Sequence, residues 1–131
     1  MPVIDASVLV DALVGVGAHG DAARTELCNQ AVLQVPAIFT AEATSAVRGL
    51  VRRGALDPVR AATAVAQIHT VRTIQYPFEP LGGRVWRLRD SITVYDAWYV
   101  ALAEWLSTDL VTPDKRLLRA TGPRCRVRTP G

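Results

Sequence analysis

The chain has 131 residues, is half hydrophobic and carries a net charge of +3. That is enough apolar chain for one packed core and too little charge for a disordered one. No apolar run is long enough for a transmembrane helix. Cys28 and Cys125 have no CxxC spacing, and His19 and His69 stand alone, which argues against a zinc site or thiol chemistry.

The first segment, Pro2 to Ala6, is short, apolar and β-branched, and runs directly into Ser7-Val8-Leu9-Val10-Asp11-Ala12-Leu13. This predicts a buried strand followed by a helix, with Ser7 as its N-cap and Gly15 and Gly17 as its stop. No basic leader or cleavage site precedes it, so a cytoplasmic location is expected. A second helix is expected over residues 20–29 and a second strand over 32–36.

Ala43, Ala46, Val47, Leu50 and Val51 repeat at helical spacing, and Gly54 follows as a stop. Asp57-Pro58 has the cap-then-proline form of a helix start. Ala61, Val65 and Ile68 mark that helix's apolar face. Val71 to Ile74 predicts a third strand, ended by Tyr76-Pro77.

A helix over residues 80–89 and another from about Tyr95 come next, the latter with Trp98, Ala101, Leu102 and Trp105 on its core face. Asp109 to Thr112 predicts a fourth strand. Thr112-Pro113-Asp114 predicts a final helix start of the cap-then-proline kind, and residues 126–128 a short edge strand. Strands alternating with helices predict an α/β fold in a single domain, residues 1–131, with a mainly parallel sheet and helices on both faces.

Ligands of such folds bind beyond the carboxyl ends of the strands. Asp5 ends the first strand, and Glu42 lies early in the helix after the second. Asp96 and Asp114 each start a helix, so all four acids fall on that one edge. Asp109 falls on the opposite edge, while Asp21, Glu26, Asp57, Glu79 and Asp90 read as solvated or capping groups. A single acid at a helix N-terminus is explained by capping. Four on one edge repel one another, and an all-oxygen set of this kind suits Mg²⁺ or Mn²⁺. Lys115 is the only lysine, and the arginine-dominated basic set, with a pI near 9.3, permits nucleic-acid binding without requiring it.

Four segments carry a resemblance: Val3-Ile4-Asp5-Ala6-Ser7-Val8-Leu9-Val10, Glu42 on its alanine-containing helix, Tyr95-Asp96-Ala97, and Leu110-Val111-Thr112-Pro113-Asp114-Lys115-Arg116-Leu117. In order and spacing they resemble the four motif regions of PIN-domain ribonucleases, and most of all the VapC toxins of VapBC modules. The resemblance implies a Rossmann-like α/β/α sandwich (the PIN-domain fold), a homodimer, and a Mg²⁺- or Mn²⁺-dependent endoribonuclease that serves as the toxin of a type II toxin–antitoxin pair. It implies Asp5, Glu42, Asp96 and Asp114 as catalytic acids, with Asp5, Asp96 and Asp114 holding metal and Glu42 a ligand or an orienting group. Ser7 and Thr112 match the hydroxyl residues that support the acids. Lys115 and Arg116 stand where some relatives carry a further acid, and there the chain departs from the pattern. The implied partners are an RNA substrate, with Arg116 as the first candidate for phosphate contact, and a cognate VapB-type antitoxin whose tail lies in the groove leading to the acids.

Two other readings compete. A catalytically silent domain of the same fold would bind RNA or a partner without cutting. A phosphoacceptor receiver or aspartyl phosphatase would need paired acids after the first strand, where this chain has Asp5-Ala6-Ser7.

Overall fold

A computed structural model describes residues 1–131. Five strands form one sheet in the order β3-β2-β1-β4-β5, and every neighbouring pair is parallel. Strand β1 (Val3–Ile4) lies at the centre, between β2 (Leu33–Pro36) and β4 (Leu110–Val111); β3 (Thr73–Tyr76) and β5 (Val127–Arg128) form the edges. Val3 aligns with Gln34 on one side and Leu110 on the other. Parallel neighbours cannot be joined by tight turns, so each strand is reached by a crossover, and all strands end at the same edge.

Helices α1 (Ala6–Val14) and α2 (Gly17–Cys28) connect β1 to β2, and α3 (Phe39–Arg52) and α4 (Pro58–Ile68) connect β2 to β3. A 3₁₀ turn (Glu79–Leu81), α5 (Gly82–Arg87) and α6 (Val94–Trp105) lead back to β4, and α7 (Lys115–Arg119) leads to β5. The core is one cluster that includes both residues of β1, both of β4 and seven consecutive residues of α6, Ala97 to Ala103. Helix α6 is therefore enclosed on all sides, as a helix apolar around its whole circumference must be. No helix is long and apolar enough to cross a membrane.

Several local expectations are revised. Asp5, rather than Ser7, caps α1: its carboxylate accepts from the Ser7 amide. Likewise Asp114 caps α7, and Pro113 precedes the cap instead of following it. Trp98 is buried as expected, but Trp105 is 57 % exposed and meets Tyr76 edge-on. Glu26, read from the sequence as solvated, is buried and paired with Arg128. The cap-then-proline start at Asp57-Pro58 holds, and Gly54 ends α3 with a φ of 73°, which is free of strain only for glycine.

Candidate active site

Strand β1 stops after Ile4, so Asp5 is the first residue beyond the sheet edge; β4 stops after Val111, which puts Thr112 beside it. The Asp5 amide still donates to the Val111 carbonyl at 3.0 Å, so the two chain segments leave the sheet together. Thr112 is fully buried, and its hydroxyl donates to Asp5 Oδ2 at 2.6 Å. The Thr112 hydroxyl oxygen in turn accepts from the Asp114 amide at 3.1 Å. One threonine thus fixes two of the four acids, as the sequence pattern expects of Thr112.

Asp5 is further held by the Ser7 amide at 3.3 Å. The Ser7 hydroxyl is near enough to favour the ionised carboxylate, yet it completes no hydrogen bond of good geometry. Asp114 accepts from the Arg116 amide at 2.8 Å, and the Arg116 guanidinium approaches it at 3.8 Å. Asp5 and Asp114 are therefore genuine helix caps as well as candidate site groups. Asp96 and Glu42 are not caps: Thr93 caps α6 through the Asp96 amide, and no side chain caps α3.

The electrostatics link the acids in series. Burial raises the pKa of Asp5, with a smaller contribution from the charge of Asp96. Burial likewise raises Glu42, which also feels Asp5 and Asp96. Asp96 is raised by burial and then by Asp114, while Arg116 opposes the shift. Mutual repulsion, the effect foreseen from the sequence, is present but smaller than the loss of water around each carboxylate.

Tyr99, three residues after Asp96 and so on the same face of α6, belongs to this group and was not foreseen. It is buried, and its hydroxyl is pushed to a higher pKa by burial and by the charges of Glu42 and Asp5. Neither its hydroxyl nor Glu42 Oε1 completes a hydrogen bond of good geometry. The i,i+3 spacing from Asp96 is the signal that marks it in the sequence.

No three Asp, Glu, His or Cys side chains in the chain gather closely enough to hold one ion. The cage of Asp5, Asp96 and Asp114 foreseen from the sequence is not drawn together, because Asp5 is held by Thr112 and Ser7 and Asp114 by its own helix. The chemistry of the set nevertheless suits a hard cation. All donors are oxygens, three of the acids are desolvated, and Glu42 Oε1 and Ser7 Oγ are buried without partners; unpaired buried oxygens of this kind call for a ligand.

Beside Asp96 lies a cleft of about 360 Å³ lined by Arg89, Asp90, Ser91, Ile92, Thr93, Arg116 and Leu117. A second opening, of about 480 Å³, runs from Glu42 and Ser7 between α1 and α3 to Asp11 and Arg53. Arg116, foreseen as a phosphate contact, lines the first of these at the rim of the acids.

Known proteins resemble this chain along most of its length. Ribonuclease VapC1 of Mycobacterium tuberculosis is 35% identical over 127 residues, spanning 96% of this chain and 95% of the relative. Ribonuclease VapC3 of the same organism is 36% identical over 118 residues, 90% of this chain and 85% of its own. Among solved structures, PAE2754 from Pyrobaculum aerophilum superposes with a TM-score of 0.68 at 23% identity, covering 96% of this chain and 81% of that one. The PIN-domain profile matches residues 3–123, a span that takes in β1, β4 and all four acids, and on this match the chain belongs to the PIN-domain family.

Proposed function

We propose that the 131 residues form a single ribonuclease domain, a Mg²⁺- or Mn²⁺-dependent endoribonuclease that acts as the toxin of a type II toxin–antitoxin pair. The observation that carries this reading is the convergence of Asp5, Glu42, Asp96 and Asp114 on one sheet edge, with oxygen donors left unpaired among them. Identity above 30% along nearly the whole length of proteins named as VapC ribonucleases supports it.

Asp5, Asp96 and Asp114 would hold the ion, with Glu42 as a further ligand or an orienting group. When bound, such an ion acidifies water and polarises a phosphoryl oxygen. The protein's own contribution is positional. Thr112 aims Asp5 and favours its ionised form, against the effect of burial, by donating to it, and it ties the start of α7 to the same point. Burial around Glu42 strengthens its hold on a proton, which suits a group that orients or accepts from water. Arg116 offers a cation to an incoming phosphate at the rim.

Partners follow from this reading: an RNA substrate, a second copy of the chain in a homodimer, and a VapB-type antitoxin that covers the acids. A catalytically silent domain of the same fold is favoured only by the absence of three metal-binding side chains gathered about one point. Cleavage of single-stranded RNA by the purified protein, assayed with Mg²⁺, with Mn²⁺ and with EDTA, decides between them. Metal-dependent cuts that yield 5′-phosphate ends support the enzyme; cleavage that persists in EDTA, or no cleavage with either ion, defeats it.

A further inference from the structure

The cleft beside Asp96 has a feature that the acids do not account for. Trp86, at the end of α5, is 63 % exposed, although an indole of this size gains most from burial. The Arg89 guanidinium lies over its ring, 4.5 Å from the centroid, and is fixed there because Nη1 donates to the Trp86 carbonyl at 2.9 Å. Arg89, braced from behind by Trp86, lines the cleft together with Arg116 and Asp96. A flat cation, stacked on an indole, thus lines the same cleft as a candidate catalytic carboxylate.

We propose that this cleft is a subsite for one nucleotide of single-stranded RNA, adjoining the bond to be cut. The base stacks on the Arg89–Trp86 pair, and the neighbouring phosphate is taken by Arg116. Three observations lead to this ligand. Unpaired bases stack on guanidinium planes and exposed aromatic rings, and such stacking tolerates any base. A volume of about 360 Å³ lies in the range of small-ligand pockets and suits a single nucleotide. Ser91, Thr93 and two arginines can meet a ribose phosphate by hydrogen bonds and charge, alongside the carboxylates of Asp90 and Asp96 in the same lining. Arg89 and Arg116 also balance Asp90 and Asp96 in the lining, so the approaching strand meets a cleft without net negative charge.

The inference rests on the proposed RNA-cleaving activity but is tested separately from it. Binding of a fluorescent single-stranded RNA of mixed sequence is measured in EDTA, so that no cleavage intervenes, on the full chain and on Trp86→Ala, Trp86→Phe, Arg89→Ala and Trp105→Ala. Trp105 is equally exposed but lies at the far end of α6 from Asp96, and it serves as the control. Trp86→Ala and Arg89→Ala should raise Kd about tenfold, the scale of one lost base stack. Trp86→Phe should stay within about threefold of the wild type, and Trp105→Ala should not change. Equal Kd values for Trp86→Ala and Trp105→Ala would overturn the subsite even if the enzyme cuts RNA. A Trp86-dependent Kd in a protein that cuts nothing would leave the subsite standing and remove the nuclease. Sedimentation of the same variants covers the other use of an exposed indole: dissociation of a dimer by Trp86→Ala, with RNA binding unaltered, would make Trp86 a self-interface and overturn the proposal.

Discussion

Thr112 donates its hydroxyl proton to Asp5 at 2.6 Å, across 107 residues of chain. The bond is short and sheltered, so it stabilises the fold and at the same time favours the ionised form of the first acid, which burial opposes. Thr112→Val keeps the shape and removes both the donor and the acceptor used by the Asp114 amide. It should cost about 2 kcal/mol in urea denaturation and lower RNA cleavage at least tenfold, with Thr112→Ser restoring most of both. Full activity in Thr112→Val would show that Asp5 needs no help to find its place.

The acids themselves should not be equivalent. Asn keeps the capping ability of Asp5 and Asp114, so Asp5→Asn and Asp114→Asn should fold with nearly native melting temperatures while cleavage falls by orders of magnitude. Asp5→Ala should in addition lose about 2–3 kcal/mol, because α1 loses its cap and the buried Thr112 hydroxyl loses its acceptor. Paired melting curves and cleavage assays check this, and a stable, active Asp5→Asn would take Asp5 out of the site.

Asp96 offers a test that needs no substrate. Burial, then Asp114, raises its pKa in the folded protein, so its ionised form costs stability above that raised value and the cost disappears below the unfolded value of about 3.9. Without metal, Asp96→Asn should therefore be more stable than the wild type at pH 7, and the gap should close as pH falls towards 4. Mg²⁺ at roughly 100 times its Kd should stabilise the wild type by about 2.7 kcal/mol and the variant by far less. Equal responses to Mg²⁺ would remove Asp96 from the metal site.

Glu26 behaves with the opposite sign. Arg128 donates to it at 2.6 and 3.2 Å, and these bonds, ahead of any other cause, hold its carboxyl below the ordinary range. Such a group contributes stability that is complete above its unfolded pKa near 4.3 and is lost as pH falls through the lower folded value. Breaking the pair with Glu26→Gln should cost about 3 kcal/mol at pH 7 and much less below pH 3. A gap that stays constant over that range would mean that Arg128 gains nothing from the charge.

Ser107 is the only non-glycine residue with positive φ, at 53°. It follows α6, where a left-handed residue lets the Thr108 amide return to the Ala103 carbonyl. Ser107→Gly should stabilise the protein by about 0.5–1 kcal/mol, read as a rise in melting temperature. It lies away from the acids and should leave cleavage unchanged.

The α/β class and the edge on which the acids meet were legible in the sequence because they depend on periodicity and on where each strand stops, and Asp5 and Thr112 mark those stops plainly. Capping was harder to read. Ser7 and Asp5 are both good cap residues, and only the backbone turn at Asp5 decides between them. Glu26 looked solvated because its partner, Arg128, is 102 residues away, a pairing that no local pattern announces. Trp98 and Trp105 shared a predicted core face, but Trp105 is the last residue of α6 and extends past the layer that buries Trp98. Tyr99 was missed because a helix apolar on all sides gives no stripe to single it out.

The strand order has a consequence for the order of synthesis. Strand β1 emerges first, yet one of its edges stays open until β4 pairs with it. Thr112, which orients Asp5, and Asp114 both arrive with that late segment. A growing chain that has not yet passed Leu110 holds Asp5 without its hydroxyl partner. The acid edge is therefore put in order by the last strands to join the sheet, however early Asp5 itself is made.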